Sequence, residues 1–215
     1  MNYTLEEVYD YILELTDKKG SDLFQLPYVL SVFQSSTLDF IGEKIPSIEK
    51  QQQVTQDLQS LMLTSKESVI NDLNDPHAVT TAIPSDLHYL ARVNPIFKGN
   101  VTSKRPRLVR HGNLDAMKSD PHNSPSTEYP IITQFTDTIK IESGYVEKPI
   151  SVLITYLKKP LYAKLTEPNQ RIVNLPDVVI DAIILKTESR LLGSKGDPRY
   201  QTAYNDERSF RKEDI

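Results

Sequence analysis

The chain has 215 residues, 38% of them hydrophobic and 25% charged, and its 25 Lys and Arg against 29 Asp and Glu leave a net charge of −4. That length can bury roughly 70% of the unfolded surface and fold as one domain or two small ones without a disulfide or a metal. With no Cys at all, disulfide frameworks, Cys-type zinc sites and thiol catalysis are excluded.

The first third reads as helix. Thr4 followed by Glu7 has capping-box spacing, in which each side chain can satisfy an otherwise free amide. Leu5, Val8, Ile12 and Leu15 then recur on one helical face, and Gly20 ends the pattern. Pro27 suits the first turn of a second helix, where its missing N–H costs nothing, with Val29, Phe33, Phe40 and Ile41 as the apolar face. Pro46 breaks that helix and Ser47 can cap a third, whose inner side would hold Ile48, Val54, Leu58, Leu61 and Met62. This start, acidic and amphipathic, does not read as a signal peptide. No apolar run reaches the ~20 residues that span a bilayer.

From Leu63 to about Leu175 the segments become short, β-branched and punctuated by proline: SVI, AVTTAI, LHYLARV, RLVR, YPIITQF, IKIE and ISVLITYL. The last is apolar on both faces, as a central strand would be, and Lys159-Pro160 stops it. Ser119 to Pro130 is rich in turn-forming residues and reads as a loop. Leu175-Pro176-Asp177 then opens a helix with Ile180, Ile183, Ile184 and Leu191 on its buried face and Gly193 closing it. Asp177 and Asp181 lie early in that helix and Lys186 and Arg190 late, the order a helix dipole favours. The polar end, DPRYQTAYNDERSFRKEDI, reads as a solvated helix or as an arm that orders against another chain. The expected class is α+β, with a helical unit at 1–62, a central antiparallel sheet or small barrel with long loops at 63–175, and a C-terminal helix and polar arm at 176–215. Helices and sheet are expected to form one compact domain.

Motifs of catalysis are weak. The few glycines fit neither GxGxxG nor the P-loop, and no serine stands in a GxSxG elbow. His77, His88, His111 and His122 lack ligand spacing. Paired carboxylates such as Glu6-Glu7 fall on helix surfaces rather than in a pocket that could shift a pKa. Charge is uneven, however. Residues 1–63 hold ten acids and four bases, while 87–114 hold six bases (Arg92, Lys98, Lys104, Arg105, Arg107, Arg110) and no acid. Such polarity favours head-to-tail association. The candidate interface residues are Arg105, Arg107 and Arg110 in the basic segment, and Tyr200, Tyr204 and Phe210 as aromatic anchors on the polar tail.

Three stretches in order carry a family resemblance: IEKQQQVTQDLQSLM; AIPSDLHYLARV followed by DPHNSPSTEYPIITQFTDTIKIE and VLITYLKKP; and LPDVVIDAIILKTESRLLGSKGDPRYQTAYNDE. Together they resemble head–tail connector (neck ring) proteins of tailed bacteriophages, especially the crAss-like phages. The resemblance implies a structural, non-enzymatic virion protein at the portal vertex, without a cofactor, assembled in the host cytoplasm. It implies as partners further copies in a ring (most often twelve), the portal protein and a neck or tail protein. Packaged DNA would pass through the channel without sequence-specific binding, and no membrane is implied. The alternative is a DNA-binding accessory protein using the basic 98–111 segment.

Overall fold

A computed structural model describes residues 3–18, 23–48, 56–72, 75, 77–103, 105–120, 122–144 and 147–213, with the side chains of 100 and 209–213 outside the description. Its α+β content divides into two compact units. One joins Met1–Leu61 to Pro160–Ile215, and the other is the continuous stretch Met62–Lys159. The boundary expected at 62/63 falls one residue earlier. The segment 160–175, read from sequence with the strands, belongs to the unit that holds the helices.

In the first unit, α1 (Leu5–Leu15) is capped by Thr4, whose Oγ1 accepts from the Glu7 N–H at 3.3 Å. The reciprocal half of the expected box differs, because the Glu7 carboxylate accepts from the Thr4 hydroxyl at 3.1 Å. Leu5, Val8, Ile12 and Leu13 are buried. Helix α2 (Leu26–Lys44) has Pro27 in its first turn and buries Val29, Phe33, Phe40 and Ile41, as its spacing predicts. A short 3-10 turn at Ile45–Ser47 follows at Pro46. Of the expected third helix, residues 49–55 lie outside the described residues; 56 and 57 are helical, but 58–61 form a turn and Met62 opens a strand instead of lining a helix, while Ile48, Leu58 and Leu61 are buried. Late in the chain, α4 (Asp177–Ser194) packs on α1, α2 and α5 (Tyr200–Glu213). Gly193 lies inside α4; the left-handed residue beyond its end is Gly196, at φ +64°.

The chain's start is clasped by a late segment. Tyr3, held at φ +54°, accepts the Ile172 N–H through its carbonyl at 2.7 Å and donates its hydroxyl to Asp181 at 2.8 Å. The Leu5 and Glu6 amides donate to the carbonyls of Gln170 and Pro168 at 3.1 and 3.2 Å. These bonds satisfy amides that the first turn of α1 leaves without helical partners. Burial and the Asp181 carboxylate push the Tyr3 phenol up to about 12.

The second unit is built of two sheets. One is antiparallel in the order β1 (Met62–Ser68), β9 (Ser151–Lys158), β4 (Leu87–Phe97), β5 (Val101–Thr102). Strand β9 is thus interior, as its apolar faces predict. The other sheet runs β2 (Ile70–Asn71), β3 (Ala78–Ala82), β8 (Thr138–Glu142), β7 (Ile131–Gln134), β6 (Arg107–Leu108), and its last pair is parallel. Val79, Leu90, Val93, Ile132, Ile139, Ile141, Val152, Ile154 and Tyr156 from both sheets form one buried cluster. The chain steps between the sheets at both margins, from β1 to β2 and from β5 to β6, which gives the sandwich a barrel-like connection. A short helix, α3 (Leu114–Ser119), covers β6 and β7 through Leu114, Met117, Val109 and Ile131. The chain enters this unit on β1 and leaves it on β9, and these strands pair with Met62 opposite Leu157.

Candidate interaction surfaces

The polar C-terminal segment forms α5, which rests on α4 and opens a broad groove of about 1150 Å³. Ala203 and Glu207 are buried on its inner side. Tyr200 and Tyr204 line the groove, with ring centroids 5.9 Å apart, and the Arg208 guanidinium stands 5.8 Å from the Tyr204 ring. Aromatic rings flanked by arginine are the side chains that most often anchor one protein on another. Phe210, the third expected anchor, has its backbone in α5 and its side chain outside the description.

The opposite wall belongs to α4 and α2. The Lys186 ammonium, itself buried, donates to Glu43 at 2.9 Å, and Arg190 pairs with Asp39 and donates to Ser35 at 3.1 Å. Both bases therefore serve α2 carboxylates rather than the end of their own helix, a role their late position in α4 does not reveal. At the groove's end Arg199 grips Asp197 at 2.9 Å, and two hydrogen bonds from Arg199 hold the Asp197 carboxyl down at about 2.

The basic segment lies in the second unit and splits into different roles. Arg107 is committed internally: Nη1 donates to Asn123 Oδ1 at 3.1 Å, and Nη2 donates to the carbonyls of Asn123 at 2.7 Å and Tyr129 at 3.2 Å. It clamps the 120–130 loop against β6. Arg92 lies on the sheet and donates to Asn94 at 2.9 Å. Arg105 and Arg110 are exposed, and Arg110 borders a second cavity of about 700 Å³ beside His111 and Phe135. Lys104 lies outside the described residues.

An ion cluster under α3 joins charges scattered along the chain, so no sequence motif marks it. Lys118 reaches Glu142 at 2.7 Å and Asp75 at 3.4 Å, while Lys140 reaches Asp75 at 3.0 Å and Asp72 at 3.3 Å. Burial works to lower both lysines, but hydrogen bonds and attraction from these carboxylates outweigh it and raise them. Both stay charged at neutral pH, so the cluster ties α3 to the sheet and offers no free amine as a base. Among the described residues, no group of three or more His, Asp or Glu side chains could hold a metal ion. Among the same residues, no helix is long and apolar enough to cross a membrane. Comparison with protein-family models and with curated proteins gives no match for this chain.

Proposed function

We propose that the protein is a structural subunit of a tailed-phage particle that forms a ring at the portal vertex, joins head to tail and extends the DNA channel. The observation that carries this reading is the Tyr200–Tyr204–Arg208 row along an open groove on a helix that is otherwise polar. A polar helix presenting aromatic anchors fits docking on another protein better than enclosure of a small substrate. The resemblance of the three ordered sequence stretches to connector proteins supports the same reading. So does the separation of charge, ten acids against four bases in 1–63 and bases alone in 87–114, which suits the unlike contacts that close a ring. The rival reading, a DNA-binding accessory protein, loses Arg107 to the 120–130 loop.

Electron microscopy of the full chain tests the proposal, alone and mixed with the portal protein encoded in the same genome. Rings, or a ring of added density on the portal, are expected. Solitary monomers in both arms, at every salt concentration, overturn it.

A further inference from the structure

The outer margin of the second sheet combines three features. First, β6 is its terminal strand. The amides of Arg105, Arg107 and Val109 donate inward to the carbonyls of Glu128, Pro130 and Ile132 at 3.1, 2.9 and 2.8 Å. In an extended strand alternate residues face opposite ways, so the intervening Leu108 and Arg110 amides point outward, and Pro106 has none to offer. Second, Leu108 lies on the same face as Ile132, its register partner, which is in the shared core; yet Leu108 is 58% exposed. The core face is left open at this margin. Third, Leu108 borders the 700 Å³ cavity with Phe135, Arg110 and His111, and among the described residues no Asp or Glu lines it.

We propose that β6 is a docking edge for an extended acidic segment of another protein, which pairs with the outward amide of Leu108 and inserts an apolar side chain between Leu108 and Phe135. Strand addition explains a terminal strand whose inward-facing apolar residue lacks a cover. Charge selects the occupant: Arg105 and Arg110 are exposed on either side of Leu108, and opposite charges across a pairing edge set partner and register. A nucleic acid fits the same place poorly. Duplex binding draws on roughly 6–10 phosphate contacts, whereas among the described residues this edge presents two exposed arginines around an apolar centre. The inference does not depend on ring formation.

Fluorescence anisotropy with the full chain tests it. The probe is a labelled seven-residue peptide, Glu-Asp-Phe-Val-Val-Asp-Glu, compared with a version carrying Lys at the four acidic positions and with a version N-methylated at both valines. The acidic peptide should bind and weaken with salt. The Lys version should fail, and N-methylation should cost about tenfold or more by removing backbone pairing. Arg105→Glu and Arg110→Glu, both at exposed positions, should each weaken the acidic peptide by a similar factor. The proposal is overturned if the N-methylated peptide binds as well as its parent, if charge reversal changes nothing, or if no acidic peptide binds. Tighter binding of a short DNA duplex, lost in the same two variants, would overturn it in favour of a nucleic-acid surface.

Discussion

Gly193 and Tyr200 meet where α4 turns into α5: a Cβ on Gly193 would stand 3.0 Å from two carbons of the Tyr200 ring. The absent side chain lets the ring lie against α4, and so sets one wall of the groove. Glycine inside a helix costs about 1 kcal/mol relative to alanine, so Gly193→Ala should be close to neutral, its helix gain offset by a small shift of Tyr200. Gly193→Leu should displace the ring and destabilise the protein by about 1–3 kcal/mol. Hydrogen exchange should show α5 losing protection in the leucine variant and keeping it in the alanine one.

Arg107 predicts a loop phenotype rather than a binding one. Replacing it with Ala removes charged hydrogen bonds to carbonyls at Asn123 and Tyr129, at a cost of about 1–3 kcal/mol. Limited proteolysis should then cut within 120–130 at protease levels that leave the native chain intact. Arg107→Lys should rescue little, since one ammonium cannot span the side-chain and main-chain acceptors that the fork reaches.

The ion cluster predicts an acid limit. Burial raises the Asp75 carboxyl, but the hydrogen bonds from Lys140 and the His77 N–H, with the attraction of both lysines, bring it down from 3.8 to about 2. A carboxyl lowered by folding stabilises the fold fully above its unfolded value, and that contribution disappears as pH falls through its folded one. Melting temperature should therefore drop between pH 4 and 2, and Asp75→Asn should flatten the drop. Lys140→Met, which leaves the nearly buried Glu142 and its neighbours short of a cation, should cost about 3–5 kcal/mol.

The pairing of Met62 with Leu157 predicts that the second unit is separable. Its two chain ends lie side by side on neighbouring strands, the arrangement that tolerates insertion of one domain into another. A fragment of residues 62–159 should melt cooperatively with a β-type circular dichroism spectrum. A featureless transition would show that the sheets need the rest of the chain.

Helices were legible where a single local pattern decided them. In α2, Pro27 and the spacing of Val29, Phe33, Phe40 and Ile41 sufficed, because one face of one helix meets the core. Strand β1 was not legible: Met62–Ser68 is a margin strand with mostly polar, partly exposed residues, so no alternation marks it. Its place follows from β9, whose apolar faces required a neighbour on each side. The basic segment shows the other limit. Composition groups Arg105, Arg107 and Arg110 as equals, but only tertiary structure brings the loop carbonyls to Arg107. Gly193, read as a helix end, instead makes room for a ring seven positions later, a relation that no local rule contains.

The clasp of Tyr3 by Ile172 and Asp181 reverses the usual order of maturation on the ribosome. Domains emerging from the exit tunnel commonly complete themselves from the first residue onward, at roughly 5–20 residues per second. Here the opening helices must wait, while the inserted sheets are translated in full, before the segment that secures them exists. A nascent chain whose residue 159 has just cleared the exit tunnel would carry finished sheets behind an unfinished leading segment.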